Sequence, residues 1–260
     1  MTPEIFDTHC HLTYGELGSQ SEAAWSRARE AGVVGAILIG IDAASSREVV
    51  DYVADRTDMW CTVGVHPNST AQLTEQDLAS IKDLTAAPRV VAIGETGLDT
   101  YWDDAPLASQ IAALEAHARM SLDTGLPLIL HLRDAFSEAE ATLAPFARQG
   151  LRAVVHCFTG GPDDLTPFVD WGFMISFSGI LTYSGAKTLR AAAALVPIEQ
   201  CLVETDAPWL APAPHKASDV NEPSFIVHTV KKLAKTRKQP FEEVAAATTS
   251  NARQFFGLVT

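Results

Sequence analysis

The sequence predicts an α/β fold of one class, a (β/α)₈ (TIM) barrel, formed by a single domain of residues 1–260. Short apolar runs of β character alternate with longer segments of helical spacing along most of the chain. Nearly every apolar run is followed by a polar side chain that could bind a metal ion or move a proton. The length of 260 residues and the hydrophobic content of 47% are sufficient for one large core.

Eight apolar runs are predicted to be strands, because they are rich in Val, Ile, Leu and Phe and carry few charges, as strands buried on both faces do. They span residues 5–9, 34–41, 60–65, 89–94, 127–131, 152–156, 172–176 and 201–204. Helical spacing between them is illustrated by one face that would carry Leu107, Ile111, Leu114 and Leu122. Helix starts are expected at Ser45, at Thr74 with Asp77 three residues on, and at Pro162.

The polar residues that follow these runs distinguish a closed barrel from a doubly wound open sheet, which could show the same alternation with fewer strands. In a parallel barrel all carboxyl ends of the strands open onto one face, where active sites lie. An open sheet would spread the same residues along a line. The barrel is therefore favoured by the polar residues at the ends of the runs, namely His9, His11, Asp42, His66, Glu95, His131, His156, Ser176, Ser178 and Asp206.

Several of these residues have the chemistry of metal ligands. His9 and His11 are two apart on an extended segment, so both imidazoles point to one side while Cys10 points to the other. Glu95 closes an apolar run, where a carboxylate is costly to bury unless it is paired or bound to a metal. A structural salt bridge is the alternative for Glu95, and a hydrogen-bonded core histidine is the alternative for His131 or His156 taken alone.

The combination of these side chains favours two divalent ions over one. One site would contain His9, His11, Glu95 and Asp206, and the other Glu95, His131 and His156, with Glu95 as the bridge. Each ion would keep open positions for water and substrate. Histidine-rich ligation suits Zn or Mn and does not exclude Mg. Of the remaining histidines, His117 and His228 are assigned to structure, and His215 could belong to either class.

Eight motifs occur in the order DTHCHL, GVHP, IGETGLD, HLRDA, HCFTG, ISFSG, ETDAPWLAP and NEP. Together they resemble the TatD family of deoxyribonucleases, from Asp7 to about Pro223. The resemblance implies a (β/α)₈ metal-dependent hydrolase with two divalent ions that cleaves phosphodiesters, often from the 3′ end. It implies catalytic roles for Glu95, as the bridge, and for Asp206, as a ligand and as the base that orients the attacking water. It also implies that His66 and Arg133 contact the substrate near the scissile phosphate.

Two loops depart from the pattern of the family. An aromatic residue commonly follows GLD, whereas this chain has Thr100 before Tyr101 and Trp102. The segment before NEP, residues 212–223, has Lys216 where the family usually has Arg, and it has one extra residue. Both departures leave the metal ligands unchanged and affect the expected substrate preference.

The leading hypothesis is a two-metal phosphodiesterase or deoxyribonuclease that acts on nucleic-acid ends, with single-stranded DNA as the expected substrate. The alternative is a hydrolase of small esters, amides or phosphoesters that uses the same metal site, since barrels support many chemistries through their loops. A non-catalytic metal-binding interaction protein ranks third, because no ligand or base is missing. The net charge of −13 argues against a surface that coats nucleic acid broadly.

The N-terminal segment has neither the basic nor the apolar region of a signal peptide, and the apolar stretches are too short to span a membrane. The four cysteines form no CxxC pair and fit a reducing compartment. We therefore expect a cytoplasmic monomer without a membrane contact or an obligate protein partner.

Overall fold

The computed structural model of the chain describes residues 3–258 and contains eight parallel β-strands that alternate with helices. The strands are β1 (Ile5–Cys10), β2 (Val33–Ile39), β3 (Met59–Val63), β4 (Val90–Asp99), β5 (Leu128–Arg133), β6 (Ala153–Val155), β7 (Met174–Phe177) and β8 (Cys201–Val203). They follow one another in chain order through a single sheet. The predicted (β/α)₈ barrel is therefore confirmed.

Ten α-helices lie in the described part of the chain. They are α1 (Gly15–Gly18), α2 (Ser21–Glu30), α3 (Ala43–Val53), α4 (Glu75–Leu84), α5 (Leu107–Thr124), α6 (Phe136–Ala147), α7 (Pro162–Asp170), α8 (Lys187–Leu195), α9 (Ile226–Arg237) and α10 (Phe241–Phe256). None of the helices within residues 3–258 combines the length and the apolar character that crossing a membrane would need.

The described residues form two compact units. The first unit contains residues 3–38, 157–169 and 174–258, in which β1 pairs with β2 and β7 with β8. Thr8 Oγ1 donates a hydrogen bond of 3.0 Å to the carbonyl of Val203, so β8 also lies beside β1. The second unit contains residues 39–156 and 170–173, in which β3 to β6 pair in chain order. That all 260 residues form one domain stays a prediction.

The strand predictions agree with the structure to within a few residues except at β4. The predicted run ends at Gly94, whereas β4 continues to Asp99, so Glu95 lies within the strand and does not end it. Backbone pairing with β5 continues as far as Asp99 and Arg133. The polar side chains after residue 94 hid this extension, because a strand buried on both faces is expected to be apolar.

The helix starts are partly corrected. Thr74 caps α4 and forms a capping box with Asp77, and α7 begins at Pro162, as predicted. The start expected at Ser45 is wrong: Asp42 is the N-cap of α3, and its carboxylate accepts a hydrogen bond of 2.7 Å from the backbone N–H of Ser45. Asp42 therefore stabilises a helix end, which is a common role for this residue type.

The face predicted for α5 is also displaced. Leu114 is buried, but Leu107, Ile111 and Leu122 are only half-buried. The buried face instead carries Gln110, Ala113, Leu114, His117, Ala118, Met120 and Ser121. Three polar residues on this face, Gln110, His117 and Ser121, explain why an apolar pattern alone placed it elsewhere.

Two glycines allow β4 and β5 to approach each other closely. Gly94 and Gly97 have φ angles of +139° and +149°, which side-chain-bearing residues rarely adopt. A Cβ atom on Gly97 would lie 1.9 Å from the carbonyl oxygen of His131, and one on Gly94 would lie 2.6 Å from that of Ile129. The backbone on either side of Glu95 is therefore held directly against the strand that carries His131.

Candidate metal centre

One cluster of ligand atoms is formed in the first unit by the ends of β1 and β8. His9 Nε2 and His11 Nε2 are 3.1 Å apart, and they lie 3.5 and 3.6 Å from Asp206 Oδ1. His9 and His11 are buried, and the side chain of Asp206 is 13% exposed. The backbone supports this convergence, because the N–H of Asp206 donates to the carbonyl of His9 at 2.9 Å.

Asp7 ties the same two chain segments together beneath this cluster. Its Oδ1 accepts hydrogen bonds from the backbone N–H groups of Thr205 and His9, at 3.0 and 3.3 Å. Its Oδ2 accepts a hydrogen bond of 2.6 Å from the hydroxyl of Thr205. Burial raises the pKa of Asp7 to about 7, although the hydrogen bonds from Thr205 act in the opposite direction. Asp7 therefore holds the residues before His9 and Asp206 in fixed register.

A second cluster is formed in the second unit around Glu95. Its Oε1 lies 2.8 Å from His156 Nε2 and 3.0 Å from His131 Nδ1, and these two nitrogens are 3.4 Å apart. His66 Nε2 lies 3.7 Å from the same carboxylate oxygen. Glu95 and His156 are buried, whereas His131 and His66 are half-buried.

The separations in both clusters suit a divalent ion. Two ligands of a tetrahedral zinc ion with bonds of about 2.0–2.1 Å are about 3.3 Å apart. The three separations of 3.1, 3.5 and 3.6 Å in the first cluster, and of 2.8, 3.0 and 3.4 Å in the second, bracket this value. Imidazole and carboxylate are ligand types that bind Zn and Mn, and carboxylate oxygen also suits Mg.

Asp99 is a partner of His131 that the sequence did not reveal. Its Oδ2 lies 3.1 Å from His131 Nε2, while His131 Nδ1 lies 3.0 Å from Glu95 Oε1, so the imidazole is held between two carboxylates. Burial alone would raise the pKa of Asp99, but the hydrogen bond and positive charge of His131 and two backbone donors lower it to about 2. Burial alone would lower the pKa of His131, whereas the hydrogen bonds to Asp99 and Glu95 raise it.

His66 differs from the other histidines in the orientation of its ring. Its Nδ1 accepts a hydrogen bond of 3.2 Å from the backbone N–H of Asn68, so in the neutral ring the proton is on Nε2. A protonated Nε2 that faces the cluster can donate a hydrogen bond but cannot bind a metal ion. This geometry is compatible with the substrate contact expected for His66.

Arg133, the last residue of β5, lies over two aromatic rings. Its guanidinium carbon is 3.8 Å from the ring centre of Tyr101 and 5.7 Å from that of Trp102. Arg133 remains a candidate for a phosphate contact, because a guanidinium over aromatic faces keeps its N–H groups free to bind an anion at its edge.

The remaining histidines, and the serines that follow β7, have structural contacts. His117 accepts a hydrogen bond from the N–H of Val65 and its Nδ1 lies 2.7 Å from the carbonyl of Ala113, in accord with its structural assignment. Ser176 Oγ lies 3.3 Å from Thr8 Oγ1, and Ser178 Oγ lies 3.0 Å from the thiol of Cys157. The ring of His215 stacks on Phe225 at 3.7 Å and lies 5.4 Å from His228.

Comparison with known proteins shows that the chain is similar to TatD-related nucleases and hydrolases. A family model described as TatD related DNase matches residues 6–257. The chain is 34% identical over 259 residues to the 3′-5′ ssDNA/RNA exonuclease TatD of Erwinia amylovora, covering 98% of this chain and 100% of that protein. It is 32% identical over 252 residues to the uncharacterized metal-dependent hydrolase YabD of Bacillus subtilis, covering 97% and 98%. The crystal structure of YJJV, a TatD homolog from Escherichia coli K12, superposes with a TM-score of 0.93 at 27% identity over both complete chains.

Proposed function

We propose that this chain, which belongs to the family of TatD-related DNases, is a two-metal phosphodiesterase of the 3′–5′ exonuclease type. The observation that carries the proposal is the pair of ligand clusters. His9, His11 and Asp206 converge in one of them, and Glu95, His131 and His156 in the other. Each cluster pairs imidazole nitrogens with a carboxylate oxygen at separations that suit a divalent ion, and the curated relative from Erwinia amylovora is named as an exonuclease.

The proposed centre contains two divalent ions, of Mg, Mn or Zn. One is assigned to His9, His11, Glu95 and Asp206, and the other to Glu95, His131 and His156, with Glu95 as the bridging ligand. When bound, two such ions would polarise the phosphodiester and lower the pKa of a water molecule near it. The complete set of ligands in this chain favours an enzyme over a non-catalytic metal-binding protein.

The protein side chains then supply binding, orientation and proton transfer. Asp206 would orient the attacking water and accept its proton, because its carboxylate is the partly exposed member of the first cluster. His66 would donate a hydrogen bond from Nε2 to a phosphate oxygen or to the leaving oxygen. Arg133 would bind a second phosphate oxygen through its guanidinium. Asp99 would keep the His131 ring in the tautomer that leaves Nδ1 available.

The proposed substrate is the end of a single-stranded nucleic acid, DNA being the expected form. A net charge of −13 disfavours a protein surface that tracks a long duplex, so recognition would be confined to the active site and its nearest loops. We further propose that the protein acts in the cytoplasm as a monomer, without a membrane contact or an obligate protein partner.

Hydrolysis of a 5′-labelled single-stranded DNA 20-mer tests this function. The protein is assayed with Mg, Mn or Zn added, beside an EDTA control and the Asp206→Asn variant. We expect a ladder of fragments shortened from the 3′ end, which EDTA abolishes and which Asp206→Asn reduces at least about 100-fold. Asn suits this position because Asp206 has a φ of +57°, and asparagine tolerates the left-handed region.

Metal content measured on the same preparations makes a negative result decisive. If protein that holds its ions cleaves no strand with any of the three metals, the nuclease proposal is wrong. Activity on bis(4-nitrophenyl) phosphate in the same preparation would then favour a small-molecule phosphoesterase that uses the same centre. Wild-type rates in Asp206→Asn would instead remove the proposed base.

A further inference from the structure

The loop between β4 and α5, residues 100–106, exposes two large aromatic side chains next to each other. The side chains of Tyr101 and Trp102 are 54% and 51% exposed, and their ring centres are 4.9 Å apart. Burying an aromatic side chain is strongly favourable, so adjacent exposed rings in a loop beside a catalytic strand indicate a surface that a ligand covers.

This loop is rigidly attached to the strand that carries Glu95. The backbone N–H groups of Tyr101 and Trp102 donate to Asp99 Oδ1 at 2.9 and 3.2 Å. Gln110 of α5 is buried, and its amide bonds to both backbone groups of Asp99 at 2.7 and 2.9 Å and to the carbonyl of Ala105 at 2.9 Å. The aromatic rings are thus held in place before a ligand arrives, which lowers the entropic cost of binding.

A cavity of about 290 Å³ lies under Trp102 in this loop. Its lining includes the apolar side chains of Leu107 and Pro106, together with Trp102, Asp99, Asp103 and Gln110. Pockets for small ligands begin at about 300 Å³, so the space suits one small planar group and not a longer segment of a strand. The lining contains two carboxylates and, among the described residues, no cationic side chain.

The charge of the lining decides which part of a nucleotide could enter. A phosphate would be repelled by Asp99 and Asp103, whereas an uncharged base can stack on Trp102 and donate its N–H groups to a carboxylate. A cation lies beside the cavity lining: the guanidinium carbon of Arg133 is 3.8 Å from the ring centre of Tyr101 and 5.7 Å from that of Trp102. A base inside the cavity and its phosphate at Arg133 would therefore each meet a complementary group.

We propose that the cavity under Trp102 binds one unpaired nucleobase of the substrate strand, with the attached phosphate directed to Arg133. The proposal rests on the nuclease function proposed above and adds to it a binding site for one base of the single strand. A base in a duplex is stacked and paired on both sides, so it could not enter. Asp99 connects this base site to His131, since its two carboxylate oxygens bond to the loop and to the imidazole.

Binding of two strands that differ only in their bases tests the proposal. Fluorescence anisotropy with the metal-loaded protein would give the Kd of a phosphorothioate thymidine 12-mer, which resists hydrolysis. The same measurement is made with a phosphorothioate 12-mer of abasic nucleotides, which carries the same charge. We expect the wild-type protein to bind the thymidine strand about tenfold more tightly, the size of effect that base–aromatic stacking produces.

The ratio of the two Kd values should depend on the ring at position 102. Trp102→Ala is expected to reduce the ratio below about threefold, and Trp102→Phe to retain most of it. Leu195→Ala serves as the matched control, because Leu195 is a large apolar side chain that is 65% exposed at the end of α8. A wild-type ratio near one, or an unchanged ratio in Trp102→Ala, would overturn the base site.

The base site and the nuclease function can fail separately. Cleavage of DNA by a protein that binds both strands equally would leave the nuclease and remove the base site. A large ratio that Trp102→Ala abolishes, in a protein that cleaves no diester, would leave a site for single strands without the proposed chemistry. Thermal unfolding of each variant verifies that the loop change has not unfolded the protein.

Discussion

At the scale of single residues, the sequence was most informative about side chains that could serve as ligands. His9, His11 and Asp206 come together, as do Glu95, His131 and His156, because each follows or ends an apolar run that forms a strand. A polar side chain at the end of a buried strand is costly, so its position predicts a function. Whether these residues bind ions in the predicted sets stays a prediction.

Asp99 was not predictable in the same way. Its partnership with His131 depends on β4 continuing four residues beyond Glu95 and pairing with β5 in a register that sets Asp99 beside Arg133. Neither the extension nor the register leaves a periodic signal in the sequence. The only available signal was a carboxylate an even number of residues after Glu95 on an extended chain, and this signal is weak alone.

Replacement of Asp99 by asparagine should weaken metal binding at the cluster around Glu95. The amide is neutral and accepts a hydrogen bond from His131 less strongly, so the basicity of the imidazole falls. We expect an affinity about 10–100-fold lower for the ion assigned to Glu95, His131 and His156, as is typical when a carboxylate behind a ligating histidine is removed. Titration with a competing chelator would measure it.

The exposed carboxylate of Asp104, in the same loop, provides the control for this change. Asp104→Asn removes an equal charge without touching His131 and should retain the wild-type metal affinity. An Asp99→Asn protein that binds its ions as tightly as Asp104→Asn would show that Asp99 does not act through His131.

At the scale of elements, the loop that follows β8 is stabilised from two directions. The side-chain amide of Asn221 donates to the carbonyls of Thr205 and Trp209, at 2.8 and 2.6 Å, and so encloses Asp206 between two anchored residues. Glu222 forms a bidentate ion pair with Arg27 of α2. The NEP motif was recognised in the sequence, but its partner on α2 lies 195 residues away and could not be inferred.

Glu222→Gln should destabilise the protein by about 1 kcal/mol at pH 7, because Arg27 is 46% exposed and solvent screens the pair. This change corresponds to a melting temperature lower by about 2–4 °C. Burial alone would raise the pKa of Glu222, but hydrogen bonds from Arg27 and Ser224 outweigh it and lower the pKa. The stabilisation is therefore present above the ordinary pKa of glutamate and is lost as the pH falls through the lowered value.

Differential scanning fluorimetry of the wild type and of Glu222→Gln between pH 3 and pH 8 would follow this dependence. The difference in melting temperature should be constant above about pH 5 and shrink below it. A difference that stays constant down to pH 3 would mean that the ionised form of Glu222 contributes nothing and that the substitution acts through packing alone.

At the scale of the whole molecule, the fold followed from the number and order of the apolar runs. Eight strands in chain order, each buried along most of its length, leave few topologies other than a barrel. The net charge of −13 limits how such a molecule can bind a polyanion. Attraction must come from a few local cations and from bound metal ions, and not from a basic surface.

Binding to single-stranded DNA should therefore depend only weakly on salt. For single strands, the slope of the logarithm of the association constant against the logarithm of the salt concentration is about −0.7 for each phosphate that the protein neutralises. We expect a slope between about 0 and −2 for the logarithm of the association constant, obtained as 1/Kd of a 12-mer, against the logarithm of the NaCl concentration from 50 to 300 mM at fixed metal concentration. A slope steeper than about −4 would require six or so neutralised phosphates and would contradict the local mode of recognition.

Gly94 and Gly97 also bear on how descendants of this gene could acquire new specificities. Any residue other than glycine at these positions would place a Cβ atom against the backbone of β5, so substitutions there would be selected against whatever the substrate. Three residues after Gly97 the chain leaves the strand, and the exposed side chains of Thr100, Tyr101 and Trp102 could be substituted without disturbing the barrel. The segment from Gly94 to Trp102 thus joins two positions that must remain glycine to a loop whose side chains can vary. Selection for another ligand would act on the loop.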